Sequence, residues 1–179
     1  RVLRIRPGEM VTVCDGDGTD YECRLVNSEK GEAQLEIVRK KECDTEPSIE
    51  VTLLCGLPKG NDRTDYILQK AVECGVYEIV PFQSSRCIAK AKADGEADKT
   101  KRRCRIAAEA AKQSGRGRVP AVKPTVSFEQ MLALTEECDL CLFCYEGEGA
   151  KSLRDVLENS PTPESVSVTV GSEGGFSPE

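Results

Sequence analysis

Ser165-Val-Ser-Val-Thr-Val170, running into Gly171-Ser-Glu-Gly-Gly-Phe-Ser-Pro-Glu179, is the stretch on which the fold of this 179-residue chain turns. Six residues alternate small polar side chains with Val, a β-branched run that predicts a buried strand over 165–170. Three glycines within the next five residues let the backbone turn sharply and leave its N–H groups without side-chain cover. Ser177-Pro178-Glu179 has the order of an N-cap, an N1 proline and a first-turn acid, so a helix is expected to start there. Strand, glycine loop and helix start, in that order, build ligand sites at the carboxyl ends of strands in α/β folds. The sequence stops on that helix start and opens on Arg1 rather than Met, so further residues are expected beyond both ends.

Working back from this stretch, residues 47–179 alternate strand and helix patterns. Strands are expected at 49–55, 76–82 (with Pro81 marking the end), 140–145 and 166–170. Helices are expected from Asn61 or Asp62 to a C-terminal Gly75, and over 99–114, 128–135 and 152–157. This order predicts a mostly parallel sheet with helices on both faces. Residues 1–46 read differently. Short strands at 10–14 and 21–26 flank Asp15-Gly-Asp-Gly18, a hairpin turn signal, and a third strand follows at 33–38. The polar run from Lys40 to Ser48, which carries Pro47, sets the boundary between a small β domain (1–46) and the larger α/β domain (47–179).

Hydrophobic residues make up 39% and charged residues 31% of the chain, which is a globular composition, and no apolar run reaches the length of a membrane span. The chain has ten cysteines, several of them within helix and strand patterns, which fits a reducing cytoplasm rather than a disulfide framework. The 179 residues hold no His, so Ser-His-Asp and Cys-His catalysis and His-based metal sites are outside their reach. Cys138-Asp-Leu-Cys-Leu-Phe-Cys144 has metal-like spacing. It overlaps a strand, however, where residues three apart face opposite ways, and no second CxxC matches it, so no metal is expected.

The net charge is −6, yet Lys99 to Arg118 contains eight basic residues and one acid, a local +7 that leaves −13 elsewhere. Arg102, Arg105, Lys112 and Arg116 share a face across an apolar seam of Ile106, Ala107, Ala110 and Ala111, with Glu109 the only acid among them. Such a one-signed face, continuing into Gly115-Arg-Gly-Arg118, predicts binding to a polyanion. The Lys59-Gly-Asn-Asp-Arg63 turn serves equally as a phosphate cradle or as a polar loop that starts a helix. The terminal glycine loop lacks the Gly-Lys-Ser/Thr of a P-loop and the spacing of a dinucleotide fingerprint. On pattern alone it is a structural turn or a cofactor loop.

Taken together, these pieces resemble one family. Arg1-Val-Leu-Arg4, Gly56-Leu-Pro-Lys-Gly60, Gln69-Lys70, Pro81-Phe82 and Ser85-Arg86 come first. Glu109-Ala-Ala-Lys-Gln-Ser-Gly-Arg116, Tyr145-Glu146 and Gly171-Ser-Glu-Gly-Gly-Phe-Ser177 follow. Ala-Ala-x-Gln-Ser-x-Arg paired with Gly-x-Glu-Gly-Gly-Phe-Ser is the specific part. The chain resembles the RsmE family of ribosomal RNA methyltransferases, in the SPOUT superfamily. The resemblance implies an N-terminal PUA-like RNA-binding β-barrel and a SPOUT α/β domain tied in a trefoil knot. It also implies a homodimer that transfers methyl from S-adenosylmethionine to N3 of a uridine in 16S ribosomal RNA of the small subunit. Ser172 stands where the family has Pro, Asn61 reads as an insertion, and the family's final knot segment would lie beyond Glu179.

The resemblance, with residue chemistry, assigns the cofactor to Gly171, Glu173, Gly174, Gly175, Tyr145 and Glu146. It assigns catalysis to Arg116, as a cation for charge on the uracil, and Gln113, as a reader of the base edge. Lys59, Arg63, Lys70, Arg86, Arg102, Arg105 and Arg118 are the expected RNA contacts. Two alternatives stand beside this reading: a non-catalytic RNA-binding protein, and an α/β enzyme that holds a nucleotide or phosphate in the terminal glycine loop.

Overall fold

The computed structural model describes residues 5–29, 31–89 and 94–177. Expectations resting on residues 1–4 and on Pro178 and Glu179, the terminal helix start among them, lie outside the described residues. The chain divides into two units, one of Arg1–Glu46 with Gln113–Val119 and one of Pro47–Lys112 with Pro120–Glu179. Among the described residues no helix is long and apolar enough to cross a membrane.

In the first unit β1 (Met10–Cys14), β2 (Thr19–Glu29) and β3 (Glu32–Glu42) form an antiparallel sheet in the order β1-β2-β3. The β1–β2 turn is built by its own first residue: the Asp15 carboxylate accepts from the N–H groups of Asp17 (2.8 Å) and Thr19 (3.0 Å). β2 and β3 outrun their sequence patterns because register shifts at Glu22/Cys23 and Leu25/Asn27 carry the pairing past breaks in alternation.

Residues 113–119 are held in this unit by ionic and backbone contacts. Glu46 accepts from Arg116 Nη2 at 2.5 Å and Nε at 3.3 Å, and from the Arg118 N–H at 3.1 Å. Gly18 N–H donates to Gly117 O and Val119 N–H to Gly16 O. The Cys43 thiol occupies the space that a Cβ on Gly117 would need.

Burial on its own would raise the Glu46 pKa, but the Arg116 guanidinium and the Arg118 N–H outweigh it and hold the carboxyl below its ordinary value. A depressed folded-state pKa gives stability that is present above the unfolded carboxylate pKa of about 4.3 and lost as pH falls through the folded value. Glu46→Gln is therefore expected to be less stable than the parent at neutral pH. Its loss of stability below about pH 4 should be shallower, by at most about 1.4 kcal/mol per pH unit, the slope of one proton. Denaturant melts across that range check this.

The second unit is a parallel sheet of β4 (Glu50–Gly56), β5 (Glu78–Gln83), β6 (Ala121–Val122), β8 (Leu140–Cys144) and β9 (Ser165–Val170). Its order is β6-β5-β4-β9-β8, with the short β7 (Val126–Ser127) also on β5. The helices are α1 (Asn61–Glu73), α2 (Glu96–Ser114), α3 (Phe128–Thr135) and α4 (Leu153–Asn159); the last two residues of α2 fall in the first unit. Successive residues of β4 and β5 face opposite sides, and both sides are covered. Cys55 and Ile79 pack with Leu68 and Val72 of α1 and with Ala107, Ala110 and Ala111 of α2. Leu54, Val80 and Phe82 pack with Met131 of α3 on the other side. α3 starts where its sequence indicates, because Ser127 and Gln130 cap each other's backbone N–H.

Three expectations change. Pro81 does not end its strand: it lies inside β5, paired with Cys55. Ile79 accepts from Lys123 N–H on the outer side of β5, and residues two apart face the same side. The donor that Pro81 lacks therefore falls in the gap between β6, which pairs Glu78 and Ile79, and β7, which pairs Phe82 and Gln83. β9 is buried only as far as Thr169: between β4 and β8, Val166, Ser167 and Thr169 are 7%, 0% and 1% exposed, while Val170 emerges 40% exposed at the carboxyl end. Lastly, α1 is capped neither by Asn61 nor by Asp62. Its N-cap is Gly60, at φ 94°, with no side-chain cap.

Candidate functional site

β4, β5, β8 and β9 run parallel, so their carboxyl ends open on one edge of the sheet. Gly56 ends β4 and lies directly behind the loop that follows β9: a Cβ there would stand 2.5 Å from Ser172 N and 2.9 Å from Gly171 C. The glycine is what lets the two backbones meet. Within the loop Gly175 N–H donates to Ser172 O at 2.8 Å, and Gly175 takes φ 62° to close the turn.

Three further groups fix the loop. Arg86 Nη1 donates to Gly174 O at 3.2 Å, and a Cβ on Gly174 would press on the Arg86 backbone at 3.0 Å. The Glu173 carboxylate accepts from the Lys59 N–H at 3.1 and 3.2 Å and pairs with Arg63. The N–H groups of Glu173 itself and of Lys59, with Arg63, hold the Glu173 carboxyl below its ordinary pKa. Phe176 anchors the far end of the loop, 4.2 Å from Phe143 and 6.3 Å from both Phe82 and Phe128 between ring centroids. All four phenylalanines of the chain therefore meet under the loop.

Beneath it the Cys87 thiol is buried and accepts from the Ser84 N–H at 3.3 Å. Burial opposes its ionisation, but hydrogen bonds from Ser84, Ser172 and the Leu57 N–H outweigh burial and lower its pKa.

The loop is one wall of a cavity of about 650 Å³ whose other wall is Cys144, Tyr145, Glu146 and Gly147, with Arg86 at its side. All six residues that the sequence assigns to a cofactor therefore line one cavity. Tyr145 is 45% exposed, and its ring fills the place of a Cβ on Gly147. On its other side the same loop borders a second cavity, about 600 Å³, lined by Leu53, Pro58, Arg63 and Tyr66.

The expected RNA contacts are more engaged than their sequence suggests. Arg102 is forked onto Asp65, Lys70 pairs with Glu73, Arg118 reaches Asp17, and Arg63 and Arg86 hold the glycine loop. Arg103, counted in the basic segment, is buried with Glu96 and Thr125. Lys99, Lys101, Arg105 and Lys112 stay exposed on α2. Gln113 is exposed, and Arg116 is buried against Glu46; both belong to the first unit, and the glycine loop belongs to the second. Among the described residues no cluster of three His, Cys, Asp or Glu side chains has the arrangement of a metal site. The Cys141 thiol donates instead to Thr135 O at 2.8 Å.

Two family models match the chain: an RNA methyltransferase PUA domain over residues 1–38 and an RNA methyltransferase domain over residues 45–179. The chain belongs to the RNA methyltransferase family. Among relatives of this RNA methyltransferase family, the ribosomal RNA small subunit methyltransferase E of Bacillus subtilis is 31% identical over 98% of the chain and 70% of its own length. The Aquifex aeolicus protein of the same name is 34% identical over 99% of the chain and 73% of its own length. A crystal structure of the Neisseria gonorrhoeae methyltransferase of this name, bound to S-adenosyl methionine, superposes with a TM-score of 0.84. It is 35% identical and covers 99% of the chain and 70% of its own.

The sequence missed Gly56 and Gly147 as parts of the site, and it placed Arg86 and Arg63 on RNA rather than on the loop. Only Gly175-Phe176 carried a signal for the aromatic floor, as a large apolar residue directly after a tight turn.

Proposed function

We propose that this chain carries out S-adenosylmethionine-dependent methylation of N3 of a uridine in 16S ribosomal RNA. The observation that carries this reading is the 650 Å³ cavity between the glycine loop and residues 145–147, on a chain of the RNA methyltransferase family. The residues suit the cofactor. A Cβ on Gly171 would press on Phe176 and Gly175, and one on Gly174 on Arg86, at 3.0–3.2 Å, so glycine at these positions lets the loop pack tightly into the shape that forms the cavity wall. Glu146 offers a carboxylate to a cationic ligand, and the Tyr145 ring offers a half-exposed aromatic face.

When bound, S-adenosylmethionine supplies an electrophilic methyl group on a sulfonium. The protein's part is to hold, orient and exclude water. Gly171, Gly174 and Gly175 give close backbone approach, and Phe176 and Phe143 keep that wall rigid. The uracil N3 proton must leave before its lone pair can act. We assign Arg116 to steady charge on the uracil oxygens and Gln113 to read the base edge.

Exposed Lys59, Lys99, Lys101, Arg105 and Lys112 are the first-choice phosphate contacts, with Lys70, Arg102 and Arg118 reaching RNA only by sharing or leaving their carboxylates. A paired uridine hides N3, so the target base must be unpaired or flipped out. A PUA-like barrel, a trefoil knot, a homodimer and a cytoplasmic location belong to the same proposal.

Incubation of the protein with methyl-labelled S-adenosylmethionine and small ribosomal subunits tests the reading. The expected result is label in 16S RNA, recovered as 3-methyluridine. No label together with no cofactor-dependent thermal shift would overturn it. RNA binding without that shift would mark a non-catalytic binder. A shift with ATP or a sugar phosphate instead would mark the phosphate enzyme.

A further inference from the structure

Glu173 reaches a place where an α-helix normally needs help. The first N–H groups of a helix have no partner within it, and a Ser, Thr, Asp or Asn at the N-cap usually supplies one. α1 has Gly60 there and no side-chain cap. The anion beside its N-terminal turn comes from far along the sequence and does not cap it: Glu173 takes the N–H of Lys59, the residue before the N-cap, on both oxygens and pairs with Arg63 in the first turn. The turn that reads in sequence as a phosphate cradle is already holding an anion, and that anion belongs to the glycine loop.

We propose that Glu173, Arg63 and the Lys59 N–H form a clasp that sets where the loop stands toward its ligand, so that Glu173 and Arg63 are positioning residues for methyl transfer and Arg63 is not a phosphate contact. The proposal rests on the S-adenosylmethionine reading above. Gly56 fixes Gly171 and Ser172 from behind, and Arg86 fixes Gly174 from one side. Glu173 is the loop residue whose side chain ties it to α1 on the other side. Because residues 170–173 line both cavities, movement of Glu173 shifts a wall of each. The Arg63 side chain is 63% exposed and that of Glu173 33%, so the pair adds little to global stability. Its effect is expected in position and affinity rather than in melting temperature.

Glu173→Ala, Glu173→Gln, Arg63→Ala, Arg63→Lys and the double Ala variant in the full chain test this. Three readouts are needed: S-adenosylmethionine affinity by calorimetry, amide hydrogen exchange at residues 171–176, and RNA affinity against salt. Glu173→Ala is expected to weaken cofactor binding about tenfold, the worth of charge-assisted hydrogen bonds, and to speed exchange in the loop. Arg63→Ala should do the same to a smaller degree. The double variant should be no worse than Glu173→Ala because both lose one shared contact, and Glu173→Gln and Arg63→Lys should recover part of the loss.

The proposal is overturned if Arg63→Ala leaves cofactor affinity and loop exchange unchanged but lowers RNA affinity and the salt slope by about one. It is also overturned if Glu173→Ala leaves loop exchange unchanged. A parent protein that binds no S-adenosylmethionine defeats the functional reading instead, and loop exchange in Glu173→Ala still decides the clasp.

Discussion

Gly56→Ala is expected to unseat the glycine loop and to cost at least about tenfold in S-adenosylmethionine affinity, with about 1–3 kcal/mol of stability lost to overpacking. Gly56 has no positive φ to defend, so Ala meets no conformational strain there and the effect is purely steric. The new methyl would stand 2.5 Å from Ser172 N and 2.9 Å from Gly171 C. Both are backbone atoms, so no rotamer change relieves the contact, and either β4 or the loop must move. Gly95→Ala is the control. Gly95 has φ 84° but open space around its Cβ, so it should lose about 1 kcal/mol to backbone strain and keep full cofactor affinity. Thermal melts and calorimetric titration of both variants separate crowding at the site from general destabilisation.

Arg116→Ala carries the other large effect. The Arg116 side chain is 5% exposed and that of Glu46 21%, and removing one partner of a buried pair leaves an uncompensated charge, at about 3–5 kcal/mol. Denaturant unfolding is expected to show this loss. Glu46→Gln strands the more buried Arg116 charge instead, while its amide oxygen keeps one acceptor for the guanidinium or the Arg118 N–H, so its loss is expected to be of the same order. The catalytic assignment is a separate matter, read under conditions where the variant stays folded. If Arg116 steadies charge on the uracil, turnover falls about 10²–10³-fold with S-adenosylmethionine affinity near that of the parent, as when an oxyanion donor is removed. Turnover that follows only the folded fraction would take Arg116 out of the mechanism and leave it as the tie on residues 113–119.

These two residues also mark where the sequence was legible and where it was not. α3 and the Val-rich β9 followed from local patterns, β9 as a β-branched run closed by glycines. β6 and β7 are two residues each, and two residues show no periodicity. The cavity was legible as residue types, since Tyr145-Glu146 and the glycine loop end neighbouring strands. What held it was not. Glu173 lies 114 residues from Lys59, Arg116 lies 70 from Glu46, and Arg102 lies 37 from Asp65. No spacing rule links partners at such separations, so arginines that serve the fold looked like a surface for RNA. Only burial and pairing tell a solvated basic face from one already neutralised.

On the proposed function, the cavity between the glycine loop and residues 145–147 receives S-adenosylmethionine. Amide hydrogen exchange of the protein with and without saturating S-adenosylmethionine tests it most directly. The expected result is slowed exchange at residues 145–147 and 171–176 on binding. Binding that leaves both segments unchanged, with protection gathered elsewhere in the chain, would contradict it.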